Sequence, residues 1–233
     1  MDYWTPLMAS ANLNASHNCL LVDLEGHGLS PTTPLSKLSI ATFADDVKAL
    51  SSHYNVQNGL TVVAHSMGCL IALKLAKDNP GLVAKLVLLG PPPSPLSLEA
   101  SREFHAAADM VRAEGMGAVV DAVSTAGTSQ KTKSSNYLAL SAVRLSLLGQ
   151  SSEGYAKACS ALAEATFGLD LASVDAETLI ITGAEDKVSS AAVCDGYHKT
   201  LPNVAHVEVL KDVGHWHAFE DCEGVARAVG TFL

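Results

Sequence analysis

The chain has 233 residues, 48% of them hydrophobic, and 15 basic residues against 24 acidic ones give a net charge of −9. That length and composition suit one domain with a large core. The acidic balance argues against nucleic acid or an anionic membrane as a partner.

Five cysteines (Cys19, Cys69, Cys159, Cys194, Cys222) are scattered, odd in number and without C-x-x-C spacing. They read as reduced core thiols of a cytoplasmic protein. No signal-peptide pattern opens the sequence, and no apolar run is long enough to span a membrane. No membrane partner is therefore expected.

In chain order, residues 3–15 read as helix and residues 19–23 as a strand. A helix follows near 40–53, a strand near 60–64, a helix near 67–78 and a strand near 85–89. Gly90-Pro91-Pro92-Pro93 stops the pattern. Residues 94–170 show no strand pattern. Helical periodicity lies instead near 98–114, 116–124, 137–148 and 153–167, with Thr125 to Ser135 as a polar mobile loop. Strands near 178–182 and 205–210 alternate with helices near 189–200 and 219–232. Strands alternating with helices predict an α/β fold with a mostly parallel sheet covered on both faces. The expected division is a core over 1–93, a helical cap over 94–170 and the rest of the core over 171–233.

Three motifs carry chemistry. Ala64-His65-Ser66-Met67-Gly68 lies between a β-branched run and a helical pattern, the arrangement of a nucleophile elbow. Ala64 stands where G-x-S-x-G has its first glycine. The turn presents the Ser66 hydroxyl, and the Met67 N–H at the helix start can meet an oxyanion. Asp186 follows the strand at 178–182, and His215 follows the strand at 205–210. Ser66 needs a base; His215 can take its proton and return it, and Asp186 can hold the imidazole tautomer. Loops at the carboxyl ends of parallel strands can converge on one crevice. Each residue alone has a plainer reading, as a helix cap or a turn residue. The order serine, acid, histidine favours the catalytic one.

Other residues carry less. His215 and His217 form an H-x-H pair, but a third ligand at suitable spacing is missing, so no metal is expected. His65 packs beside or borders the site. His27 hydrogen-bonds backbone in a tight loop. Trp216 and Phe219 line the pocket or the core. Arg102, Arg112 and Arg144 are candidates to meet a substrate carboxylate, although solvated helix faces are the commoner place for arginine. No phosphate-binding fingerprint is present and no cofactor is implied.

The chain resembles the α/β-hydrolase superfamily, and within it the 3-oxoadipate enol-lactonase-like branch. Val22-Asp23-Leu24-Glu25-Gly26-His27-Gly28-Leu29-Ser30, the elbow at Ser66, Gly183 to Val188 and Gly214-His215 carry the likeness. Met110 to Met116 and Glu153 to Cys159 resemble that branch's lid helices. The resemblance implies an α/β-hydrolase fold with an inserted helical cap. It also implies a serine hydrolase cleaving a small carboxylic ester or lactone. Two alternatives stay open: a C–C bond hydrolase using the same three residues, and a non-catalytic small-molecule binder. By the same resemblance the sequence opens after the family's first three strands and an oxyanion loop carrying His-Gly. That implies an N-terminally incomplete sheet. The strand at 19–23 would then either close against 60–64 or leave a slot unfilled. The sequence names no substrate-binding residue and leaves the oligomeric state open.

Overall fold

The computed structural model describes residues 2–233. Four parallel strands make one sheet in the order β1-β2-β3-β4: β1 Leu60–His65, β2 Val83–Leu89, β3 Glu177–Gly183 and β4 Val204–Leu210. Such strands are buried on both faces, which explains the unbroken apolar run Leu86-Val87-Leu88-Leu89. Leu86, Leu88 and Ile180 face one side, against helices α2 (Ile40–His53), α3 (Met67–Asp78) and α9 (Ala191–Thr200). Val87, Leu89, Leu179 and Ile181 face the other, against α1 (Thr5–Ser10) and α11 (Cys222–Phe232). The alternation is the period of two that extended backbone imposes.

Helix boundaries follow local chemistry. Ser39 and Thr42 form a reciprocal capping box that starts α2, with the Thr42 N–H donating to Ser39 Oγ at 3.1 Å and the Ser39 N–H to Thr42 Oγ1 at 2.8 Å. The observed ranges of α2 and α3 coincide with the periodicity. The helical pattern over 3–15 resolves into α1, which has a proline in its first turn, and a single 3₁₀ turn at Leu13–Ala15. The pattern near 219–232 divides into α10 (His217–Glu220) and α11.

Between β2 and β3 the described chain is helical: α4 (Leu98–Glu114), α5 (Gly117–Gly127), α6 (Gln130–Ser135), α7 (Tyr137–Leu148) and α8 (Ser152–Ala163). α4 and α8 pack side by side, with Ala108, Ala156 and Cys159 in a small core of their own.

Two expectations are corrected. Residues 19–23 form no strand. Leu20 is 52% exposed, and among the described residues no strand pairs with the outer edge of β1. An apolar run becomes a strand only where a neighbour completes its hydrogen bonds, and among the described residues none pairs with this one. Thr125–Ser135 is not a loop. It holds the end of α5 and the whole of α6, whose Ser129 caps Thr132, and Thr128, Ser129 and Thr132 are all buried. The cysteines also divide: Cys69, Cys159 and Cys194 are core residues, Cys222 is half-buried, and Cys19 is exposed.

Candidate active site

Ser66 sits between the end of β1 and the start of α3, with φ 52° and ψ −124°. Positive φ is costly for a residue with a side chain, by about 1–3 kcal/mol, and persists only where its surroundings impose it. Here the Ser66 N–H donates to the Leu89 carbonyl on β2 (2.9 Å), and Ala64 is buried beneath the turn. The small residue at 68 is less critical than the pattern suggests. A Cβ there would meet the Ala64 Cβ at 3.7 Å, an ordinary contact. Ser66 stays half-buried, so its hydroxyl is not sealed in the core. Met67 opens α3, where its N–H has no acceptor within the helix.

Asp186 lies in the turn after β3 and His215 in the loop after β4. The structure brings both to Ser66. His215 Nε2 is 2.9 Å from Ser66 Oγ, and His215 Nδ1 is 2.9 Å from Asp186 Oδ2. A carboxylate accepts, so Nδ1 carries the proton and Nε2 is left to accept from the serine hydroxyl. Asp186 Oδ1 accepts from the N–H groups of Val188 (2.8 Å) and Ser189 (2.9 Å). Burial works to raise the Asp186 carboxyl. Contacts with His215 and His217 and the Ser189 N–H outweigh it and hold the group far below the usual carboxylate range. Asp186 is therefore an anion at neutral pH.

Two glycines make room for this convergence. Gly90 ends β2 at φ +58°, and a Cβ there would lie 2.6 Å from His217 Cε1 and 3.1 Å from both Asp186 Oδ2 and His215 Cε1. Gly183 lets β3 pass the histidine loop, since a Cβ there would lie 2.2 Å from the Val213 carbonyl oxygen.

Residues beyond the three hold the histidine loop. His65 Nε2 lies 2.7 Å from the His215 carbonyl oxygen, so this ring donates to it. Burial holds His65 well below the ordinary histidine value, and it is neutral at pH 7. Trp216 and Phe219 stack on each other and pack against Val111, Met116 and Val143 of the inserted helices. The His215 N–H donates to the Gly127 carbonyl at the end of α5 (2.7 Å).

Glu220, which sequence reasoning passed over, ties the same two parts together. Oε1 accepts from the Gly214 and Trp216 N–H groups (3.1 and 3.2 Å), and Oε2 from the Ser129 N–H and Thr132 hydroxyl (both 2.8 Å). No short-range pattern marks this tie, because Ser129 and Thr132 lie about 90 positions away from Glu220. Glu220→Ala leaves these four donors without their acceptor and is expected to lower stability by roughly 2–4 kcal/mol, read as a drop in the urea midpoint. Glu220→Gln, which keeps a carbonyl oxygen, should recover part of that loss. An alanine variant as stable as the parent would show that solvent replaces the carboxylate without cost.

The remaining sequence candidates lie elsewhere. His27 Nδ1 is 3.2 Å from the Glu25 carbonyl oxygen. Arg112 pairs with Glu153 (3.2 Å) and Arg144 with Asp121. Arg102 is exposed. None of the three arginines is spent inside the serine site. No helix is long and apolar enough to cross a membrane among the described residues.

Comparison with known proteins places this geometry in context. 3-Oxoadipate enol-lactonase 1 of Acinetobacter baylyi is 28% identical over 197 residues, which cover 83% of this chain and 69% of that protein. Probable lysophospholipase BODYGUARD 3 of Arabidopsis thaliana is 34% identical over 99 residues, 40% of this chain. The chain spans only 19% of that relative's length and 24% of BODYGUARD 4. Among solved structures, a thermophilic esterase from Thermogutta terrifontis superposes with a TM-score of 0.91 at 24% identity, covering 99% of this chain and 84% of that one. The enol-lactonase from Burkholderia xenovorans LB400 gives 0.85 at 23% identity, covering 99% and 85%. At these identities the structural likenesses carry the fold alone. The family profile described as alpha/beta hydrolase fold matches residues 1–221, and the chain belongs to that family.

Proposed function

We propose that the chain is a serine hydrolase that cleaves a small carboxylic ester or lactone, with Ser66, His215 and Asp186 as its catalytic residues. The observation that carries this reading is the continuous pair of 2.9 Å contacts from Ser66 Oγ through His215 to Asp186. Similarity to enol-lactonases supports the substrate class. Ser66 Oγ attacks the acyl carbonyl while its proton passes to His215 Nε2. The Met67 N–H meets the oxyanion of the tetrahedral intermediate. Collapse breaks the acyl–oxygen bond, and His215 gives its proton to the leaving alkoxide. Water then attacks the acyl-serine with His215 again as base, releasing acid and free Ser66. Asp186 supports the imidazolium in both halves. Helices α4–α8 serve as a cap, residues 94–170, that shapes the space over Ser66 and excludes water. The reaction draws on no cofactor.

The test is covalent labelling. A fluorophosphonate probe should add once to the parent and not to Ser66→Ala, read by intact mass. Equal labelling of both would move the nucleophile elsewhere. No labelling of either, with both folded, would favour a non-catalytic binder.

A further inference from the structure

His217 is a buried polar side chain beside the three catalytic candidates that the proposed mechanism leaves unused. Its ring is fully enclosed, at 0% exposure. Nε2 lies 3.2 Å from Asp186 Oδ2, the same oxygen that receives His215 Nδ1 at 2.9 Å. The approach is off the N–H axis, and neither ring nitrogen has an aligned hydrogen-bond partner. A buried polar group without a partner is costly and calls for an explanation. Packing alone gives none, because an apolar side chain would fill the space without that cost.

We propose that His217 is a positioning residue: a neutral imidazole that turns its Nε2 proton to the Asp186 carboxylate, shares Oδ2 with His215, and thereby limits how strongly Asp186 supports the His215 imidazolium. This rests on the serine-hydrolase reading above. Three observations converge on it. Asp186 Oδ1 is already occupied by two backbone N–H groups, so both histidines must draw on Oδ2. Gly90 seats all three groups at once, since a side chain there would strike His217 and crowd Asp186 and His215. The ring is also held in place, lying 5.7 Å from the His65 ring and 5.8 Å from the His215 ring, centroid to centroid.

The groups facing His217 allow it to stay neutral. Burial lowers its affinity for a proton, and Asp186 and Glu220 only partly offset this. His215 opposes protonation, and His65 on β1 is itself neutral. Tyr3, whose hydroxyl accepts from the Ala218 N–H, and Cys69 of α3 are pushed up by burial and carry no charge. An N–H facing Oδ2 draws on the same negative charge that steadies the His215 imidazolium. Removing it leaves that charge to His215 alone. The imidazolium is then favoured, and the base is lost to protonation at a higher pH.

The experiment has two arms. In the unaltered protein, ¹H–¹⁵N correlation of the histidine side chains should show His217 as the Nε2–H tautomer, neutral from pH 8 to pH 6. The Nδ1–H tautomer would overturn the proposal, because a lone pair would then face the carboxylate. In the second arm, the pH profile of kcat/KM for p-nitrophenyl acetate is compared among parent, His217→Gln and His217→Leu. The acid limb should move up by about half a unit to one unit in the leucine variant. It should return towards the parent in the glutamine variant, which restores an N–H. Superimposed acid limbs in all three would reduce His217 to a space filler. The tautomer arm needs no turnover, so the Nδ1–H form would overturn the proposal even where ester hydrolysis fails.

Discussion

Asp186→Asn is expected to lower kcat/KM for a p-nitrophenyl ester about 10⁴-fold while leaving the fold intact, a loss of roughly 5.5 kcal/mol of transition-state stabilisation. Asp186 uses its two oxygens differently. Oδ1 accepts from Val188 and Ser189, and Oδ2 faces His215 Nδ1. An asparagine can keep its carbonyl oxygen on the two backbone N–H groups. Its amide nitrogen then meets His215, and a donor facing Nδ1 forces the imidazole proton onto Nε2. Nε2 becomes a donor towards Ser66 and can no longer take the hydroxyl proton. The charge that steadied the imidazolium is lost with it. Circular dichroism and the urea midpoint establish that the variant folds, and steady-state hydrolysis gives the rate. A loss under tenfold, with chemistry limiting, would remove Asp186 from the mechanism.

How far the chain could be read without its structure depends on the range of the forces at each position. The α2 and α3 boundaries were legible because capping and periodicity act over a few residues, as the Ser39–Thr42 box shows. That Ser66, Asp186 and His215 meet was legible because parallel topology brings the carboxyl ends of successive strands to one edge. Residues 19–23 misled because Leu20-Leu21-Val22 is strand-like in composition, whereas pairing is a property of two segments. α6 escapes sequence reading for the converse reason: Gln130 to Ser135 is polar, and beyond its own Ser129 cap it is tied down by Glu185 and Glu220, far along the chain. His217 could be found as half of an H-x-H pair, but nothing local announces that its ring faces Asp186. The same convergence that assembles the site draws neutral histidines into the interior.

Those histidines should make the protein lose stability as pH falls below about 6.5, well before its carboxylates titrate. Burial is the chief cause holding His27, His65 and His217 below the usual histidine value of 6.5. In the unfolded chain each binds a proton near that ordinary value. Between it and the lowered folded value the unfolded state therefore holds more protons, and mass action favours unfolding. Above pH 6.5 both states are neutral and these groups contribute no slope. The loss begins at pH 6.5 and is complete only where the folded histidines themselves protonate. One fully enclosed histidine contributes up to about 1.4 kcal/mol per pH unit. His217 is enclosed, whereas His27 and His65 each keep an exposed edge, so roughly 2 kcal/mol per unit is expected from the three together. Asp186 adds nothing in this window. Its folded value lies below the ordinary carboxylate range, so its stabilisation persists until pH drops under about 3.8. Urea denaturation at pH 7.5, 6.5 and 5.5 reads the slope directly. Between the first two points the midpoint should change little, and between the last two it should fall clearly. His217→Gln, which has no titrating ring, should flatten the lower segment by that residue's share. A midpoint constant from pH 7.5 to pH 5.5 would mean that the folded protein takes up these protons as readily as the unfolded chain.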